Sequence, residues 1–365
     1  MRTVWRLVGI TLLALGLLEA GSQAGLAIRH AIAPAPVDDR LAAEVYAGEP
    51  WAADYWREWQ ASRTLEWRSY VGWRRAPFRG LHITVGPDGR RETPSAADTA
   101  VTIWMFGGSA LWGTGAGEWE TIPSFLALYL SNSGVRARIV NFGEDGYVST
   151  QEVLALMLAL REGPHPDLVI FYDGVNDLVA AYQGRVGQPQ NEWNREREFN
   201  LTQPDRWRDR LALVGQDLLA ASALVRISRR LTARPAPVAP DRPWPSHETL
   251  LPVFDVYQEN LRTARLIGAD RGFPVLAYWQ PTVFDKPTRT PHEQAQAERS
   301  RGIRPWVEAS RTYSMGGVTD LSGIFRDEAG PIFVDAWHVG GRGNVRVARR
   351  MVGDVLALLP ARAKR

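Results

Sequence analysis

Apolar residues fall along this chain in two rhythms. Short continuous runs at Val101 to Phe106, Ala137 to Phe142, Asp167 to Tyr172 and Pro274 to Trp279 alternate with longer stretches, near 121–132, 149–162, 254–271 and 342–359, whose apolar positions recur at helical spacing. Runs of that length, rich in β-branched and aromatic residues, predict buried strands, and the stretches between them predict amphipathic helices. Strands separated by helices pair in parallel through right-handed crossovers, so the pattern predicts an α/β fold, a three-layer α/β/α sandwich. A fifth strand is expected between Val318 and Val334.

Two regions break the rhythm. From about Gln183 to Leu250 an insertion follows the third strand, with Trp207, Leu211, Val214, Leu218, Ala221 and Val225 on one face of an expected helix and Pro-rich coil from Arg234 to Pro245. Such an insertion overhangs the carboxyl edge of the sheet and either walls the site or packs as a plain helix. Its arginines at 226, 229, 230 and 234 suit a solvated face or anionic lipid.

At the other end, Arg2 and Arg6 precede an apolar run from Leu7 to Leu18, then Glu19 and a weakly apolar stretch to Ala27. No crisp small-x-small cleavage site follows Leu18, so residues 1–30 read as an uncleaved signal anchor, with its basic flank inside and the remainder outside the cytoplasm, or as a signal peptide whose cleavage would leave the remainder secreted. A stalk from Ile32 to Asp39 follows. Residues 41–75 then carry Trp51, Trp56, Trp59, Trp67 and Trp73, a density that suits a packed subdomain better than a sugar-stacking surface. Pro87-Asp88-Gly89 within Leu81 to Arg91 predicts a β-hairpin.

Composition removes several classes of function. The chain has no cysteine, which excludes disulfides, thiolate metal sites and a thiol nucleophile. Its six histidines, at 30, 82, 165, 247, 292 and 338, show no metal-binding spacing, so neither a metal nor a cofactor is expected. The net charge of +3 comes with arginines matched by acids along most of the chain, and no basic tract interleaved with aromatics speaks for nucleic acid.

The chemistry lies at the ends of the first three strands. Gly107-Gly108 ends the first and leaves Ser109 at the sheet's carboxyl edge, where open α/β sheets place their ligands. The second runs into Asn141-Phe142-Gly143-Glu144-Asp145-Gly146, and the third into Asp173-Gly174-Val175-Asn176-Asp177. Each loop alone is ordinary turn chemistry. Together with Asp335 and His338 ahead of the last helix, they supply a nucleophile, backbone and amide donors for an oxyanion, a base and its orienter. Gly113, Gly115 and Gly117 fail the dinucleotide spacing, and residue 111 is not the glycine a Gly-x-Ser-x-Gly elbow needs.

In these four blocks the sequence resembles the SGNH hydrolases, the GDSL-type esterase and lipase superfamily, and in its longer motifs a membrane-tethered bacterial branch of it. The resemblance implies a flavodoxin-like parallel sheet over residues 100–360, with the insertion at 183–250 and the Trp-rich segment at 31–99 as additions. It implies Ser109 as nucleophile, His338 as base, Asp335 as its orienter, and an oxyanion hole from the backbone N–H groups of Ser109 and Gly146 and the Asn176 amide. Gly108 departs from the family's aspartate, and Val339 from a common proline. The function so implied is a serine esterase acting outside the cytoplasm on an ester, including O-acetyl or short acyl groups on a polysaccharide. An O-acyltransferase using the same residues, and a glycan-binding protein with an idle triad, stay open.

Overall fold

The computed structural model describes residues 2–32, 38–95, 98–189, 198–199, 201, 203, 205–232 and 245–359. Helix α1 covers Arg2–Ile32. Helix α2 (Ala52–Ala61) and two antiparallel pairs, β1 (Leu65–Arg68) with β2 (Gly72–Arg75) and β3 (Phe78–Arg79) with β4 (Thr84–Val85), precede the main sheet. There follow β5 (Val101–Gly107), α3 (Ser109–Trp112), α4 (Ile122–Asn132), β6 (Ala137–Asn141), α5 (Ser149–Ala159), β7 (Leu168–Asp173) and α6 (Val175–Tyr182). After α7 (Trp207–Ala221) and α8 (Ala223–Thr232) come α9 (His247–Arg271), β8 (Val275–Trp279), α10 (Pro291–Arg299), α11 (Arg304–Ser310), β9 (Thr319–Asp320) and α12 (Gly341–Leu358).

The chain forms two units, residues 1–36 with 191–240, and 37–190 with 241–365. In the larger unit five parallel strands run in the order β6-β5-β7-β8-β9, the doubly wound order 2-1-3-4-5. All six residues of the central β7 are buried, as a strand covered on both faces requires. Helices α4 and α12 pack together, as do α5 and α9, making the outer layers. Gly107 lies beside Tyr172, so β5 and β7 finish almost level, while β6 ends two residues short, with Asn141 beside Met105. Order reverses there, and there the three loops of interest leave the sheet.

The strands and helices expected from periodicity form within about three residues, apart from the start of α9 and the length of the fifth strand. Helix α9 begins at His247, earlier than 254, because the Ser246 hydroxyl caps it by accepting the Thr249 N–H. The fifth strand is only Thr319–Asp320. The expected helical face from Trp207 to Val225 is corrected: the helix breaks at Ser222 with a 73° bend, leaving Val225 on α8. The turn at Pro87-Asp88-Gly89 forms, yet Val85 meets Arg91 in one bridge while β4 pairs mainly with β3. Residues 33–37 of the expected stalk and 234–244 of the Pro-rich coil lie outside the described residues.

Residues 38–92 belong to the same unit as the sheet and form a second small core. Tyr46, Tyr55, Trp56, Trp59, Ile83 and Val85 enclose Trp112 and Val334. Two fully buried arginines flank Trp112, with Arg75 at 4.0 Å and Arg91 at 4.4 Å from its ring. Arg91 donates to the carbonyls of Trp112 (3.2 Å), Gly113 (2.7 Å), Ala116 (2.7 Å) and His82 (3.2 Å). Arg91→Met leaves these buried acceptors unpaired at about 1–3 kcal/mol each. Urea unfolding is expected to show a loss of about 3 kcal/mol or more; an unchanged midpoint would remove Arg91 as a clamp.

Candidate active site

Ser109 opens α3, one tight turn beyond β5. The turn needs its glycines: a Cβ on Gly107 would stand 2.4 Å from the Tyr172 carbonyl, and one on Gly108 would stand 2.1 Å from Asn176 Nδ2. The Asn176 amide occupies the space a side chain at 108 would take. Gly113 closes α3 at φ 100°, and its N–H returns to the Ser109 carbonyl at 3.0 Å.

His338 arrives from a hairpin-like loop between β9 and α12. The Val334 N–H donates to the His338 carbonyl at 2.9 Å, and Phe333 bridges Val339, which occupies a buried position. Glu293 on α10 accepts the N–H groups of Ile332 (2.8 Å) and Phe333 (3.0 Å), while Lys286 pairs with it on the other side. His292 Nε2 meets the Val334 carbonyl at 2.8 Å.

This loop brings together three of the residues singled out by sequence. His338 Nε2 lies 2.7 Å from Ser109 Oγ, and His338 Nδ1 lies 2.7 Å from Asp335 Oδ2. Asp335 Oδ1 also accepts the N–H groups of Trp337 (3.1 Å) and His338 (2.9 Å). Burial pushes the Asp335 carboxyl up, but the charge and hydrogen bond of His338, Arg40 and the Trp337 N–H outweigh it and hold it well below the usual carboxylate range. An ionised carboxylate only accepts, so His338 Nδ1 carries the proton and Nε2 is free to accept the serine hydroxyl.

Asn176 is the second residue of α6, and its amide stands beside Gly108. Gly146 sits at φ 74° in the loop after β6. That loop is held against the serine turn by the Glu144 N–H, which donates to the Gly107 carbonyl at 3.0 Å, and by the Trp73 indole, which donates to the Asp145 carbonyl at 3.0 Å. Burial, then Asp145, raises the Glu144 carboxyl to about 7.

Sequence reasoning missed Arg40. It sits in the turn Asp39–Ala42, stacked between Trp56 (4.1 Å) and Trp59 (4.2 Å), with Nη1 3.4 Å from the same Asp335 oxygen that binds His338. Asp38 holds its other edge. Nothing in a Pro-flanked, charged segment marks such a residue. Trp56 and Trp59 are therefore spent on packing. Among the described residues no group of three or more His, Asp or Glu is arranged to hold a metal.

No family model matches the chain, and no curated protein matches it. Its solved structural neighbours include an acetyl xylan esterase, AlAXEase, at 14% identity over 70% of this chain and 100% of that one, with TM-score 0.38. A member of the lipolytic protein G-D-S-L family from Veillonella parvula DSM 2008 is 11% identical over 69% of this chain and 96% of its own, with TM-score 0.35. AlinE4, an SGNH-hydrolase family esterase, is 19% identical over 73% and 100%, with TM-score 0.33.

Behind the Asn176 loop lie three buried acids. Asp177 accepts the Ser149 hydroxyl at 2.7 Å, Asp173 accepts the Tyr257 hydroxyl at 3.1 Å, and the Glu152 carboxyl faces Asp173. Burial raises all three: Asp177 to about 6, Glu152 far above its ordinary value, and Asp173 upward as well. Folded-state values above the unfolded ones give stability that is fully present below the ordinary carboxyl range of about 4 and is lost as pH rises from there through the folded values, which for Asp177 means up to about 6. Glu152→Gln mimics the protonated form, so its Tm should match the parent near pH 5 and exceed it increasingly towards pH 9. Thermal melts with the two Tm curves running parallel across that range would contradict the assignment.

Proposed function

We propose that this chain is a serine esterase of the SGNH type, anchored by α1 with the larger unit outside the cytoplasm. One observation carries the reading: the unbroken hydrogen-bonded line from Ser109 Oγ through the imidazole of His338 to Asp335, at 2.7 Å for each step. An arrangement of this kind is what activates a serine hydroxyl. The anchor rests on Arg2–Arg29, the one unbroken helix among the described residues long and apolar enough to cross a membrane, a test that a signal sequence also passes and that α7 and α8 pass only when taken together as a bent pair. Arg2 and Arg6 ahead of it give the orientation.

In the first half-reaction Ser109 Oγ attacks the ester carbonyl as its proton passes to His338 Nε2. Asp335 stabilises the imidazolium without taking the proton. The carbonyl oxygen becomes an oxyanion against the Ser109 and Gly146 N–H groups and the Asn176 amide. When the tetrahedral species collapses, the alkoxide leaves with the proton from Nε2 and an acyl-serine remains. Water, deprotonated by the same nitrogen, then releases the acid and restores Ser109.

Ser109→Ala is expected to abolish hydrolysis of short acyl esters, and Asn176→Ala to lower kcat on the order of 100- to 1000-fold with the fold intact by circular dichroism. Full hydrolysis by Ser109→Ala would end the reading. Arg40 draws charge from Asp335 and so weakens the carboxylate's hold on the imidazolium. Arg40→Gln is therefore expected to move the acidic limb of the kcat/KM profile to higher pH, on the order of one unit. A profile of unchanged position would leave Arg40 a packing residue alone.

A further inference from the structure

We infer that α7 lies in the membrane interface, its apolar stripe of Trp207, Leu211, Val214 and Leu218 set into an anionic phospholipid surface. The inference rests on reading α1 as a membrane span and is independent of the esterase chemistry. These four residues, spaced 4, 3 and 4 apart, share one helical face and are 53–68% exposed, and none of α7 is buried. Asp209, Gln216, Asp217 and the arginines 208 and 210 lie off that face.

The smaller unit fixes how α7 is held. The Glu19 carboxylate of α1 accepts the Ala223 N–H (2.6 Å), the Leu224 N–H (3.2 Å) and the Ser222 hydroxyl (2.8 Å), and Gln23 also donates to it (2.8 Å). Gln23 donates as well to the Ala221 carbonyl at 2.9 Å. Two polar side chains of an otherwise apolar helix thus satisfy the backbone groups freed at the α7–α8 break. In water solvent would do this unaided; near hydrocarbon the groups need partners inside the protein. Glu19 is an expensive residue there unless its oxygens are filled, and they are.

The contacts also set direction. Glu19 meets residues 222–224 and Gln23 meets Arg226 at 2.8 Å, while Leu26, Ala27 and Arg29 share a cavity with Ile227 and Arg230. Helix α8 therefore runs alongside α1 in the same sense. Helix α7 is turned 73° from α8, so it crosses the line of α1 at the level of Glu19. With α1 upright, α7 is close to the membrane plane. Glu19 lies 13 residues past Arg6, roughly 20 Å along a helix, against a hydrocarbon layer of about 30 Å. The shortfall of about 10 Å matches the depth to which interfacial helices sink.

Charge names the occupant. Residues 206–232 carry six arginines and two aspartates, and Arg226, Arg229 and Arg230 on α8 have no carboxylate partner among the described residues. A second copy of the chain would bring the same excess of positive charge, whereas anionic headgroups complement it.

The chain has no cysteine, so single labels are unambiguous. Leu13→Cys, Leu218→Cys and Asn132→Cys, each carrying an environment-sensitive fluorophore, would be placed in full-length protein in vesicles of zwitterionic and anionic phospholipid. Position 218 should be quenched by spin-labelled lipid near the headgroups, position 13 by label deep in the acyl region, and position 132 by aqueous iodide alone. Adding Glu19→Ala should cut lipid quenching at 218 by about twofold or more and spare position 13. Iodide quenching at 218 equal to that at 132, or shielding from both quenchers as in a protein contact, would overturn the inference. If position 13 also escapes lipid, the span reading falls with it, while esterase activity is left standing.

Discussion

A carboxylate removed from water is unstable unless donors surround it, and the larger unit is arranged around meeting that demand at Asp335. Two backbone N–H groups of its own loop, the imidazole of His338 and the guanidinium of Arg40 all point at its two oxygens. Of these donors Arg40 lies 295 residues from Asp335 in sequence. Satisfying one charge therefore draws the N-terminal segment and the loop before α12 to the same point, and the imidazole, once oriented, meets Ser109. Had Asp335 only its own loop for company, the ring would be free to turn and the serine would lose its acceptor.

The same economy of position governs the Ser109 side. Trp112 ends the short helix that Ser109 begins, and it is gripped between two buried guanidinium groups delivered by β2 and by the bridge at Arg91. Arg75 also binds Asp145, and its backbone N–H binds Glu144, so the loop after β6 and the serine turn are fixed by one side chain and its backbone. Dry, preset donors resist the reorientation that solvent dipoles would undergo as charge develops. The N-terminal segment is thus a structural brace for the chemistry at the sheet edge.

Much of this was legible in the chain. Strand runs such as Leu168–Asp173 announce themselves because full burial demands unbroken apolar residues, whereas Ser109, Asp335 and His338 stand out only in combination, each alone fitting ordinary turn chemistry. Arg40, Arg75 and Arg91 were not legible. Arginine ordinarily marks a solvated surface, and its burial depends on partners far away in sequence, here Trp56, Trp59 and Trp112. The break at Ser222 was hidden for a related reason: the apolar period runs on through it, and only Glu19, about 200 residues earlier, supplies the caps that make the bend affordable.

The acids behind the Asn176 loop bear on the proposed chemistry in a way their distance from the serine conceals. An oxyanion forming beside Asn176 would be opposed by any full negative charge on Asp173, Asp177 and Glu152, since a low-dielectric interior transmits repulsion well. Burial works against that charge. Glu152 has no protein donor on either oxygen and sits within reach of Asp173, so the pair keeps a proton that solvent-exposed carboxyls would give up. Asp177 keeps its fixed partners, the Ser149 N–H and hydroxyl, and through them ties α5 to α6. The cluster can therefore position the amide while presenting it with less negative charge than three carboxylates would carry in water, which is the condition an oxyanion donor needs from the groups behind it.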